Sequence, residues 1–136
     1  MPFISWQTDY QIGVAEIDEQ HQRLVEMVNS LHEAMKSGSG KSLVPKVLNE
    51  LVEYTVTHFN TEERLMQETR YPHYLQHKRQ HDELTQQVVQ MKSVIDSGKP
   101  VNTIEIVNFL KGWLINHILG SDKQFGEHIL RQQKAA

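Results

Sequence analysis

The sequence predicts an all-α fold: an antiparallel up-down-up-down four-helix bundle with an N-terminal extended arm and a short C-terminal helix. Apolar residues recur at steps of three and four in four segments, which is the spacing of helices that bury one face. Three short stretches with glycine or proline separate these segments. No sustained run alternates β-branched or aromatic residues with polar ones, so strands are not predicted.

The chain is expected to form one domain, residues 1–136. An arm of about residues 1–16, with Pro2 and Gly13 and no clear period, precedes a bundle of about residues 17–120 and a tail helix of about residues 121–133. The breaks between bundle helices are residues 37–40 (SGSG), 69–72 and 97–100 (SGKP). The predicted inward stripes, helix by helix, are Ile17, His21, Leu24, Val28, Leu31 and Met35; Val44, Leu48, Leu51, Thr55, His58, Glu62 and Leu65; Tyr74, His77, His81, Leu84, Val88, Met91 and Ile95; and Ile106, Leu110, Trp113 and His117.

Composition excludes several functional classes. A formal net charge of −3 provides no basic excess for nucleic acid, and no apolar run approaches the length of a membrane span. The N-terminus lacks the pattern of a signal peptide, so a cytoplasmic location is expected. Because the chain has no cysteine, disulfides, thiolate catalysis and iron–sulfur clusters are excluded, and any metal must be held by nitrogen and oxygen.

Six polar residues interrupt the apolar stripes, although an unpaired buried polar group costs about 1–3 kcal/mol. They lie near the start of the first and third helices and near the end of the second and fourth. In an up-down-up-down bundle these four ends coincide, so the six side chains are predicted to meet in one layer. They are His21, His58, Glu62, His77, His81 and His117.

The spacing of these residues is that of metal ligands, since residues four apart on a helix face the same way. Asp122 follows His117 by five residues and can join the layer only if the helix is distorted there by a tighter or wider turn. Imidazole with carboxylate suits iron, copper, nickel or zinc. Seven ligands are too many for one ion and suit two ions bridged by carboxylates, which favours a di-iron centre.

The chain resembles the hemerythrins, and more closely the bacterial hemerythrins. The resemblance covers all four helices and the arm, where Trp6 and residues 12–14 (IGV) precede residues 17–18 (ID). Four segments in this order carry it: HQRL from His21, HFNTEE from His58, HKRQHD from His77 and HILGSD from His117.

The resemblance implies two iron ions per chain, non-haem and bridged by an oxo or hydroxo group. One iron would be bound by His77, His81 and His117 and be coordinatively full. The other would be bound by His21 and His58 and keep a position for O2. Glu62 and Asp122 would bridge the two ions.

An apolar O2 pocket is predicted around the second iron, formed by Leu24, Phe59, Trp113, Leu114 and Ile118. The expected function is reversible O2 binding for transport, storage or local delivery, with an oxygen-consuming enzyme as a possible recipient and no catalytic role. Two alternatives stay open: an oxygen or redox sensor, and a di-iron enzyme or iron-handling protein. The Glu-x-x-His pairs of ferritin-like enzymes are absent from the sequence, which weighs against an oxygenase.

Residues beside the ligand motifs receive structural interpretations. His32, His73 and His128 are predicted to lie on the surface or behind the ligands, and Trp6 is predicted to pack against the bundle. Glu63 is predicted to face solvent, because adjacent residues on a helix do not share a face.

Overall fold

The computed structural model describes residues 3–36, 40–98 and 103–135. These residues form the predicted antiparallel four-helix bundle with an arm before it and a helix after it, and they contain no strand. The helices are α1 (Ala15–Lys36), α2 (Gly40–Glu68), α3 (Tyr74–Asp96), α4 (Thr103–His117) and α5 (Lys123–Ala135). A short 3₁₀-helix (Thr8–Tyr10) lies in the arm, and a π-helical turn (Ile118–Asp122) joins α4 to α5. No helix among the described residues has the length and apolar character needed to cross a membrane.

The core follows the predicted stripes, whose members are all buried or half-buried. Leu31 and Leu48, in the half of the bundle away from the polar layer, are fully buried. One position differs at the end of α2, where Met66 is fully buried and Leu65 only half-buried. The burial of one face of each helix is the main stabilising contribution to such a bundle.

The predicted break around residues 69–72 is a helix stop with left-handed backbone. Arg70 has φ 55°, the Tyr71 N–H donates to the Met66 carbonyl at 2.8 Å, and the Arg70 N–H donates to that of Gln67 at 3.2 Å. These two bonds define a Schellman motif, which caps the end of a helix. Of the other two predicted breaks, residues 37–39 and 99–100 lie outside the described residues, while Ser97 and Gly98 form a turn after α3.

The arm packs along the bundle, as predicted for Trp6, which is half-buried against the core. Asn29 of α1 holds the arm by two bonds: Ile4 N–H donates to its Oδ1 at 2.7 Å, and its Nδ2 donates to the Ile4 carbonyl at 2.9 Å. Asp18 Oδ1 accepts the Ile12 N–H at 2.8 Å, just before the arm enters α1. The arm is therefore a fixed part of the fold.

The last helix follows α4 directly through the π-helical turn, with no break between them. Phe125 and Ile129 bury one face of α5. Gly126 approaches the arm so closely that a Cβ at this position would overlap the carbonyl of Ile12. The His128 Nε2 lies 2.9 Å from the Thr69 carbonyl, which joins α5 to the turn between α2 and α3.

Candidate metal centre

The seven side chains predicted as ligands converge at one end of the bundle, and each has at most 7% of its surface exposed. Their donor atoms form two clusters, and within each cluster these atoms lie within 4.8 Å of one another. The clusters share Glu62 and Asp122, and they differ in their histidines. We call His77, His81 and His117 the three-histidine group, and His21 and His58 the two-histidine group.

The helices deliver these side chains to one layer for the reason that the sequence suggested. On α2, His58 and Glu62 are four residues apart and share a face, with Nε2 3.0 Å from Oε1. His77 and His81 have the same relation on α3, with ring centroids 4.6 Å apart. Asp122 is the last residue of the π-helical turn, which is the wider turn that the sequence required for it to face the layer.

Each carboxylate directs one oxygen toward each group. Glu62 Oε1 lies 3.0–3.3 Å from the two-histidine group, and Oε2 lies 3.1–3.4 Å from Nε2 of His77 and His81. Asp122 Oδ2 lies 2.9 Å from His21 Nε2, and Oδ1 lies 2.9 and 3.0 Å from Nε2 of His77 and His117. This is the arrangement by which a carboxylate bridges two metal ions.

The donor set fits two cations. Glu62 Oε2 and both carboxylate oxygens of Asp122 are buried and accept no hydrogen bond of good geometry, although imidazole Nε2 atoms lie 2.9–3.4 Å away. Such an unsatisfied, ionised group is costly unless a positive charge compensates it. The three-histidine group with one oxygen from each carboxylate provides five donors (3 + 2), and the two-histidine group provides four (2 + 2). The nitrogen and oxygen donors suit iron among the metals that the sequence allowed.

In the absence of metal, protonated imidazoles balance the two carboxylates. Burial lowers the pKa of His21, but interaction with Asp122 and then with Glu62 outweighs burial and raises this pKa to about 10. Burial also lowers the pKa of His77, but interaction with Asp122 and Glu62 outweighs burial and raises this pKa to about 9. Burial raises the pKa of Glu62, yet His58 and then His21 hold it well below its ordinary value.

Two of the predicted ligand imidazoles are oriented through their Nδ1 atoms. In the tautomer that leaves Nε2 for a metal, the His58 Nδ1–H donates to Gln20 Oε1 at 2.6 Å, and the His81 Nδ1–H donates to Glu63 Oε2 at 3.1 Å. The predicted solvent-facing position of Glu63 is therefore wrong, and its side chain is only 16% exposed. The prediction considered the faces of α2 alone, whereas α3 passes beside it and brings His81 within reach.

An apolar cavity of about 30 Å³ lies beside the two-histidine group. Four of the five predicted pocket residues line it, together with both members of that group, His117 and Asp122. The fifth, Ile118, begins the π-helical turn and is buried in the core without lining the cavity. Sequence reasoning did not assign to this pocket the next members of the same stripes, Val28, Leu51, Thr55, Leu84, Val88 and Leu110.

Aromatic rings fix two members of the three-histidine group. Phe59 stacks on His81 with ring centroids 3.7 Å apart and an interplanar angle of 3°. Trp113 stacks on His117 at 4.3 Å and 16°. These two aromatic residues therefore limit the movement of the two imidazole rings as well as lining the cavity.

The other histidines lie away from the ligand clusters. His32 stacks on Phe3 of the arm with centroids 4.2 Å apart, and His73 is exposed. His128 contacts the Thr69 carbonyl. These positions agree with the predicted surface or supporting roles.

Comparisons with known proteins identify the same family by independent routes. The model of the hemerythrin HHE cation binding domain matches residues 12–129. A bacteriohemerythrin of Stenotrophomonas maltophilia is 37% identical over 129 residues, which cover 95% of this chain and 83% of that protein. A bacteriohemerythrin of Methylococcus capsulatus is 32% identical over 93% of this chain and 96% of its own length. A crystal structure of wild-type hemerythrin superposes with a TM-score of 0.86 at 32% identity, covering 92% of this chain and 96% of that one.

Proposed function

Since this chain belongs to the hemerythrin family, we propose that it binds O2 reversibly at two iron ions held by the seven converging side chains. The observation that carries the proposal is the inequality of the two groups, with the apolar cavity beside the one that has fewer donors. Two ferrous ions bound there would supply the electrons and the vacant coordination position that O2 binding needs.

In this proposal one set of residues would hold the metal ions, and another would shield bound O2 from water. Glu62 and Asp122 would bridge the ions, the three-histidine group would complete one of them, and the two-histidine group would leave the other accessible. Leu24 and Leu114, each buried, would present hydrocarbon to the cavity and limit the entry of water. A cavity of about 30 Å³ has room for a diatomic molecule, because a single water needs roughly 10–15 Å³ on the same measure.

The donor set favours reversible binding of O2 over the use of O2 to oxidise a substrate. Five imidazoles and two carboxylates bring less negative charge than the carboxylate-rich sets of di-iron oxygenases, so high oxidation states of iron would be less stabilised. We therefore propose an oxygen carrier, store or local supplier and not an enzyme. An oxygen-consuming recipient and a cytoplasmic location stay predictions from the sequence.

The decisive experiment follows the visible spectrum through one cycle of oxygenation. Protein expressed with iron is assayed for metal, reduced without air, exposed to air and then returned to vacuum. Reversible binding predicts two irons per chain, a visible band that appears with air, and its loss under vacuum. A His58→Ala variant should lose iron and the band, whereas His73→Ala, at an exposed histidine outside the clusters, should keep both.

The rival functions give different results in the same cycle. A band that appears once and cannot be recovered after evacuation would contradict the carrier and favour a redox sensor or an oxygen-consuming enzyme. Labile iron with no band would favour iron handling.

A further inference from the structure

The two hydrogen bonds that orient ligand imidazoles end on different chemical groups. His58, in the two-histidine group, is held by the neutral amide of Gln20, whose Nε2 donates to Thr61 Oγ1 at 3.4 Å and so directs its oxygen to the imidazole. His81, in the three-histidine group, is held by the carboxylate of Glu63. The two sides of the centre are therefore supported by unequal charges.

Glu63 is fixed on both sides. Its Oε2 lies 3.1 Å from His81 Nδ1, and its Oε1 lies 3.8 Å from the Lys78 ammonium. Lys78 also donates to Asp82 at 2.9 Å, four residues along α3. Glu63 therefore contacts both Lys78, which pairs with Asp82 at the surface, and the fully buried imidazole of His81.

We propose that Glu63 is a positioning residue that fixes the tautomer and orientation of His81 and biases electron density toward the three-histidine side of the centre. The inference rests on the proposed function in that it takes His81 as a metal ligand. It goes further by assigning a role to a residue outside the ligand set and by making the two metal positions electronically unequal.

The physical basis is the coupling between the two nitrogens of an imidazole. A carboxylate that accepts the Nδ1–H makes Nε2 a better donor, and loss of such a partner typically lowers metal affinity about 10–100-fold. An anion near the metal also stabilises the ferric over the ferrous charge. The amide of Gln20 provides the same geometry for His58 without this charge.

Two substitutions separate charge from geometry. Glu63→Gln keeps a hydrogen-bond acceptor of the same size and removes the charge. We expect ferrous iron to be retained as in the wild type, and the midpoint potential to rise by about 59 mV, which corresponds to a tenfold loss of ferric preference for one electron. Glu63→Ala removes both features and should also release ferrous iron to a chelator about 10–100-fold faster.

A reciprocal variant and a charge control complete the set. Gln20→Glu adds an anion at His58 and should lower the midpoint potential. Glu83→Gln removes an exposed charge from α3, two residues after His81, and should leave the potential and the iron release rate unchanged. Spectroelectrochemical titration gives the potentials, and circular dichroism of each metal-free variant verifies the fold.

The outcomes decide the proposal without depending on O2 binding. An unchanged potential in Glu63→Gln, or in Gln20→Glu, would overturn the electronic role. Wild-type iron retention in Glu63→Ala would overturn the positioning role, and if Glu63→Ala does not fold, the two isosteric variants still decide the electronic one. A wild type that holds two irons but shows no reversible band would refute the proposed function and leave these measurements valid.

Discussion

Loading the centre with metal should expel protons, because the metal-free site holds its carboxylates against protonated imidazoles. The pKa of His21 is raised to about 10 and that of His77 to about 9, while the pKa of Glu62 is held well below its usual value. At pH 7.5 both imidazoles are therefore protonated, and Glu62 is already ionised. A metal binds only neutral imidazole, so we expect at least two protons to be released per chain. Burial lowers the pKa of His81, but Glu62 and Glu63 outweigh burial and raise this pKa, so His81 can add to the released protons.

The pH dependence follows from this count. Two protons released mean that the apparent binding constant for the metal pair rises at least about 100-fold per pH unit below pH 9. The sign for stability is opposite for the two kinds of group. The raised histidine pKa values stabilise the metal-free fold below about pH 6.5, and this contribution is lost as pH rises toward 9–10. The lowered pKa of Glu62 stabilises it above about pH 4.5, and this contribution is lost in acid.

Calorimetry can measure the released protons directly. Metal-free protein is titrated with Zn²⁺, which has no redox chemistry, in two buffers of different ionisation enthalpy at pH 7.5. Asp122→Asn removes the group that most raises the pKa of His21, so the proton count should fall, whereas the exposed His73→Gln should leave it unchanged. Metal binding without proton release in the wild type would refute the charge balance that we infer for the centre.

Three further predictions test the cavity, the aromatic stack and the fit of α5. Leu114→Ser puts a hydroxyl in the cavity and should speed decay of the visible band in air severalfold by time-resolved absorption, whereas Leu75→Ser, 74% exposed, should not. Phe59→Leu removes the ring stacked on His81, and the free energy of unfolding should fall by about 1 kcal/mol more than the lost buried area alone predicts. A denaturant titration without this extra loss would show that the stack does not hold the imidazole in place. Gly126→Ala forces a methyl against Ile12 and should cost about 1–3 kcal/mol in thermal unfolding, and an unchanged Tm would show that the arm yields.

The bundle and its polar layer were predictable because both depend on periodicity and topology. The three- and four-residue steps identify one face of each helix, and short connections make neighbours antiparallel. His21 near the start of α1 and His117 near the end of α4 then have to lie at the same height. No side-chain packing had to be known for this, which is why the convergence of the donor atoms agrees with the expectation.

What escaped prediction depends on distances between elements. The contact of Glu63 with His81 requires the rotation of α2 against α3, which a pattern on one helix does not contain. The close approach of Gly126 to Ile12 likewise joins residues distant in sequence. Gln20 could have been suspected, because it precedes a ligand on α1, but its partner His58 lies on another helix.

The π-helical turn shows how a small local distortion completes the centre. In a regular α-helix five residues rotate by roughly 500°, so Asp122 would point about 140° away from the face of His117. Hydrogen bonds from residue i to i+5 bring residues five apart back over one another, and Asp122 Oδ1 then lies 3.0 Å from His117 Nε2. Such turns are rare and are frequently found at functional sites.

The turn is followed directly by α5, which contacts two other parts of the chain. The helix begins directly after Asp122 and is fixed by Gly126 against the arm and by His128 at the Thr69 carbonyl. If α5 only covered the bundle end, Gly126→Ala would change stability and leave the iron content as it is. If α5 holds the turn, the same substitution should also speed iron release, because Asp122, the proposed bridging carboxylate, directly precedes this helix.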